Sequence, residues 1–149
     1  MSIARHLAVV ERLCGLELPE EGPGAAGRLT GPEWSGPGWR VAELRRSEDL
    51  WEDRAPEEET ADQFECEREA LAQRLTARWG EPQRVGLFGA FLRSMEGDGI
   101  PDPWGWLCQD LPDVHLWRAR GRWIALGVSH PDREHPFSLL AVVTRHDPP

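Results

Sequence analysis

The stretch DVHLWRARGRWIALGVSHPDREHPFSLLAVVT, residues 113–144, decides the architecture. Val114–Ala119 and Arg122–Val128 are apolar, β-branched and aromatic runs on either side of Arg120-Gly121. Two residues ending in glycine between two such runs predict a hairpin turn, although arginine is an unusual first residue for it. A two-residue turn places Arg118 opposite Trp123. A cross-strand cation–π pair then explains why arginine and tryptophan alternate in WRARGRW (117–123). A third strand, Phe137–Thr144, follows the loop 129–136. Three sequential strands with short connections predict an antiparallel meander.

Outward from the meander, residues 57–79 read as an amphipathic helix. Pro56 and the carboxylates Glu57, Glu58 and Glu59 suit its positive end, and Gly80 and Pro82 stop it. Its apolar stripe is Ala61, Phe64, Leu71, Leu75 and Trp79, with Arg68 laying its stem along the same side. Ile3, Leu7, Val10 and Cys14 predict a short N-terminal helix over 2–14, capped by Ser2 and ended by Gly15. Residues 19–38, with six glycines and four prolines, predict a long irregular loop. Trp39–Leu44 and Val85–Phe88 read as short strands, Ala90–Met95 as a helical turn, and Trp104–Leu111 as a brief coil of helix. The expected fold is a single α+β domain over 1–149, with one antiparallel sheet of four to five strands. The helix 57–79 covers one face of it. Trp79, Trp117 or Trp123, Leu126 and Leu140 are expected in the core.

The charge is the most localised feature. Glu48 to Glu69 holds eleven carboxylates against Arg54 and Arg68, which sums to the −9 of the whole chain; both flanks balance to zero. At 100° per residue, Glu58, Asp62, Glu65 and Glu69 form a second stripe roughly 110° around the helix from the apolar one. This ridge, with Glu52 and Asp53 before it, is the candidate partner-binding surface. The partner it suits is a protein with a basic face. The competing reading is a solvated face that keeps a lysine-free chain soluble.

Other chemistry has little support. His130, Asp132, Glu134 and His135 crowd the loop SHPDREHP, but their spacing is not a recurrent zinc pattern. Neither metal nor cofactor is expected. Cys108 and His115 are close in sequence without a nucleophile signature around them; Cys14 reads as core and Cys66 as helix surface. GPGAAG lacks the strand before it and the Lys-Ser/Thr after it that a phosphate loop needs. No catalytic residues are assigned, and a small enzyme is the third-ranked reading. The net charge opposes nucleic-acid binding. Three widely spaced cysteines and no signal or membrane-spanning stretch point to the cytoplasm.

All seventeen basic residues are arginine, and lysine, asparagine and tyrosine are absent, as in genes of very GC-rich genomes. Arg78-Trp79-Gly80 with Pro82, WRARGRWIALGVS and HPFSLLAVVT resemble small uncharacterised actinobacterial proteins over the stretch Leu71–Val143. In general type (short, acidic, α+β) the chain resembles immunity proteins of bacterial polymorphic toxins. That resemblance implies a non-enzymatic inhibitor of a basic partner and assigns no site residues. The alternative is an adaptor or regulatory accessory protein.

Overall fold

The computed structural model describes residues 3–18, 33–47, 57–130 and 136–149. Its elements run α1 (Ile3–Gly15), β1 (Glu33–Gly36), β2 (Trp39–Arg46), α2 (Glu57–Trp79), β3 (Gln83–Gly86), α3 (Phe88–Met95), α4 (Trp104–Asp110), β4 (Asp113–Ala119), β5 (Arg122–Ser129) and β6 (Ser138–Thr144). The six strands form one sheet in the order β1-β2-β6-β5-β4-β3, and every pairing is antiparallel.

The meander β4-β5-β6 is its centre. Ala119 pairs with Arg122, so Arg120 and Gly121 alone make the turn, with φ of 55° and 74°. Both values lie in the left-handed region, the signature of the primed turn whose twist suits a hairpin. Arg118 pairs with Trp123 and sets its guanidinium 4.7 Å from that ring's centroid. β2 joins the free edge of β6, from Trp39 against Thr144 to Arg46 against Ser138. β3 joins the free edge of β4.

The strand count exceeds the expected four to five because residues 33–36 are a strand. They turn back onto β2 through Pro37-Gly38, and Gly38 supplies a φ of +80°. The glycine–proline stretch therefore contains a hairpin arm at its end; residues 19–32 lie outside the described residues.

Helices cover the sheet on both faces. α1 and α2 pack on one side, where Val10, Leu13, Phe64, Leu71 and Leu75 meet Trp117, Ile124, Leu126, Leu139, Ala141 and Val143. α3 and α4 pack on the other, where Leu87, Trp104 and Leu107 meet Trp39, Val41, Val114, Leu116, Leu140 and Val142. Neighbouring strand residues alternate between the two cores, as a pleated strand requires. β6 is buried at every position. Each leucine placed there contributes about 1.5–3 kcal/mol by leaving water.

α2 keeps the expected bounds, and α1 is also close: Gly15 is its last residue instead of its stop. Trp117, Leu126 and Leu140 are buried as expected, while Trp79 and Trp123 are only half-buried. Trp79 stands at the end of α2, edge-on to Trp117 at 6.1 Å between centroids, and packs against the margin of the α1–α2 core. Trp117 instead clamps the helix end. Its indole N–H donates to the Gly80 carbonyl at 3.0 Å, where Gly80 turns the chain with a φ of +86°.

Candidate functional site

The expected ridge is real as a surface. Glu58, Asp62, Glu65 and Glu69 are all exposed, on one stripe of α2. The opposite stripe, Phe64, Leu71 and Leu75, is fully buried, which fixes the helix about its axis and holds the carboxylates in place. Glu52 and Asp53, also expected to contribute, lie outside the described residues.

The charge on the ridge is graded along the helix. Glu65 pairs with Arg68 at 2.7 Å, and Arg68 reaches on to Asp113 of β4 at 2.8 Å. Glu69 lies 3.5 Å from Arg84 and 3.7 Å from the His115 ring nitrogen Nε2. Glu58 and Asp62 have no ion-pair partner among the described residues. The uncompensated field therefore sits on the first half of α2.

Glu67 does not belong to that field. It is 2% exposed, although the sequence counts it in the acidic segment. One carboxylate oxygen meets His6 Nε2 of α1 at 2.9 Å, and the other accepts from Arg45 of β2. Arg45 also lies 4.6 Å over the Phe64 ring. This buried group ties α1, α2 and the sheet together. Sequence reading missed it, yet a signal existed: position 67 is about 60° around the helix from Phe64, on the buried arc.

At the far end of the ridge, Glu69, Gln73, Thr76, Glu81, Arg84 and His115 line a cleft of about 430 Å³. His115 is buried, stacked 6.1 Å from Trp117, and its Nδ1 has no hydrogen-bond partner. Burial, then the Arg68 and Arg84 charges, hold its pKa below the ordinary histidine value. Its ring lines this cleft as well as stacking on Trp117.

Other candidates are separated by the fold. Cys108 belongs to the α3–α4 side of the sheet and His115 faces α2, so no Cys–His pair forms. Burial raises the pKa of the Cys108 thiol, and its Sγ lies 3.2 Å from the Gly105 carbonyl. Cys14 is buried and Cys66 exposed. Of the histidine loop, His130 stacks on Phe137 at 3.8 Å; residues 131–135 lie outside the described residues. No group of three or more His, Cys, Asp or Glu among the described residues converges to hold a metal. No helix among them is long and apolar enough to cross a membrane.

A second surface went unread in the sequence. Phe88, Leu92 and Met95 of α3 are 66%, 47% and 73% exposed and fall at i, i+4 and i+7, one apolar stripe on the layer opposite α2. Reading Val85–Phe88 as strand hid that spacing; the strand ends at Gly86 and Phe88 begins the helix. Compared with family models, curated proteins and solved structures, the chain matches none of them.

Proposed function

We propose that this chain is a non-enzymatic protein-binding domain, of the immunity or antitoxin-like inhibitor type, acting in the cytoplasm. It presents the outward stripe of α2 to the basic face of a partner protein. One observation carries the reading: Glu58, Asp62, Glu65 and Glu69 are exposed together on a helix whose other side is locked into the core. A rigid, single-signed stripe raises encounter rates with a cationic surface and loses little side-chain entropy to backbone motion. The first contact belongs to Glu58 and Asp62, which carry no internal counter-charge among the described residues.

A second reading, an adaptor, is favoured by the apolar stripe of α3. It lies on the opposite layer from the ridge, so two proteins could be held at once without competing.

The test is pull-down from a native host, then association kinetics at two salt concentrations with wild type and Glu58→Arg/Asp62→Arg. The double reversal should slow association at least tenfold at low salt and flatten its salt dependence, with the thermal midpoint unchanged. Equal rates for both proteins at both salts would leave the ridge as a solubilising face only.

A further inference from the structure

The cleft at the far end of the acidic ridge is built mostly of hydrogen-bond acceptors. Glu69, Gln73 and Thr76 of α2 fall at i, i+4 and i+7 and form one wall. Glu81 follows the helix, Arg84 stands on β3, and His115 of β4 pairs with Arg84 across the two strands. Separate segments of chain therefore meet around about 430 Å³, within the size range of small-ligand clefts.

His115 is buried in this lining without a partner. Its side chain is 4% exposed. Nδ1 has no hydrogen-bond partner, and Nε2 stops 3.7 Å from the Glu69 carboxylate, too far for a hydrogen bond. A buried polar ring left in this way is costly. Burial, then the Arg68 and Arg84 charges, favour the neutral ring, so one of its nitrogens offers a lone pair. A donor bound beside Glu69 selects the tautomer with that lone pair on Nε2. Glu69 and His115 then present two acceptors 3.7 Å apart.

The remaining groups agree. The Thr76 hydroxyl donates to the Ala72 carbonyl at 2.7 Å, which leaves only its lone pairs. Glu81 is exposed and has no ion-pair partner among the described residues. Arg84 is the one cation in the lining; it lies 3.5 Å from Glu69 with its side chain 64% exposed, a weak pair. Arg68, near His115, is held by Glu65 and Asp113. Two carboxylates against Arg84 leave the lining at −1, which disfavours an anion. No three His, Cys, Asp or Glu among the described residues converge on a metal.

We propose that this cleft receives a guanidinium group, the head of an arginine side chain on the basic partner. The inference rests on the partner-binding reading and extends it, because Glu69 belongs to both ridge and cleft. A guanidinium brings five N–H donors, no acceptor and one positive charge. One edge of it spans Glu69 and His115 Nε2, and its charge neutralises the lining. An ammonium concentrates three donors on one atom and serves acceptors from separate segments less well. Arg84 already turns a guanidinium toward Glu69 and, being exposed, gives way to one held by more acceptors.

NMR titration of the full chain reads the cleft with no partner present. The probes are N-acetyl-argininamide, N-acetyl-lysinamide, L-arginine and tetramethylammonium, all singly positive near neutral pH. N-acetyl-argininamide should shift the His115 ring and Thr76 resonances saturably. It should bind roughly tenfold tighter than tetramethylammonium, which has the charge without donors, and roughly threefold tighter than N-acetyl-lysinamide. Glu81→Gln should weaken it roughly threefold, and Arg84→Gln should tighten it, a gain that misfolding cannot imitate. The proposal is overturned by no saturable shift, by equal binding of tetramethylammonium or N-acetyl-lysinamide, or by weaker binding in Arg84→Gln. L-arginine binding roughly tenfold tighter than its capped form would also overturn it, by assigning the cleft to the free amino acid. Glu58→Arg/Asp62→Arg lies outside the cleft and tests the ridge separately. Capped arginine that binds, with a partner indifferent to that reversal, keeps the cleft and sinks the ridge; the opposite pair of results sinks the cleft alone.

Discussion

Replacing Glu67 by alanine tests whether this carboxylate belongs to the core or to the acidic surface. Its two oxygens serve His6 and Arg45, and its side chain is fully enclosed. Breaking a buried ion pair by removing one partner costs about 3–5 kcal/mol, because the remaining charge is left uncompensated. Here the lower end applies. The Arg45 side chain is 31% exposed and keeps its position over Phe64, so it can regain some water. His6 has little such access, with 7% of its side chain exposed. We expect about 3 kcal/mol, or about 6–12 °C in Tm at about 2–4 °C per kcal/mol for a chain of this length. Glu67→Gln, which keeps one acceptor oxygen and the shape, should lose about half as much. Asp62→Ala, on the exposed stripe five residues earlier, should stay within about 0.5 kcal/mol of wild type. Urea unfolding followed by tryptophan fluorescence and circular dichroism reads all three. If Glu67→Ala and Asp62→Ala melt alike, the triad contributes nothing and the carboxylate is effectively solvated.

Trp117→Ala should lose about 3–5 kcal/mol in urea unfolding, and the half-buried Trp79→Ala about half of that; the reverse order would mean that the end of α2 is packed elsewhere. Leu139→Ala and Leu140→Ala should each lose about 2–5 kcal/mol, since the two side chains enter cores on opposite faces; a mild Leu140→Ala would mean that α3 and α4 do not cover theirs. His115 has a folded-state pKa below the unfolded value of about 6.5, so the unfolded chain takes up a proton that the folded chain refuses. Its contribution is therefore complete above about pH 6.5 and declines as pH falls below it, and His115→Asn should flatten the stability profile below about pH 6.5. An unchanged profile would refute the burial of a neutral imidazole.

The elements that sequence reading located are those whose signal is local. The helix 57–79 has a 3.6-residue apolar period, a proline and carboxylates at its start and glycine at its end, and each acts within one or two turns of chain. The β4–β5 hairpin rests on one two-residue turn, and the Arg118–Trp123 pair follows from that register alone. The exposed stripe Glu58, Asp62, Glu65 and Glu69 is likewise a consequence of helix geometry. Alternation and periodicity can establish these without knowing what lies across the core.

What only the tertiary structure decided depends on which surfaces meet. The run LLAVV (139–143) is continuous instead of alternating because β6 is covered on both faces, but the covering layer, α3 and α4, lies far away in sequence. The strand at 33–36 has no apolar pattern of its own and exists because β2 offers it an edge. Glu67 and Glu65 are the same residue type two positions apart on one helix; α1 and Arg45 convert the first into an internal counter-ion and leave the second facing outward, paired with Arg68 of its own helix. Glu17, Arg40, Arg122 and Arg145 line one cleft although they lie up to 128 positions apart, so no window of the chain contains it. Local spacing fixes which way a side chain leaves its own element, whereas long-range packing fixes whether it then meets water, a counter-charge or another side chain.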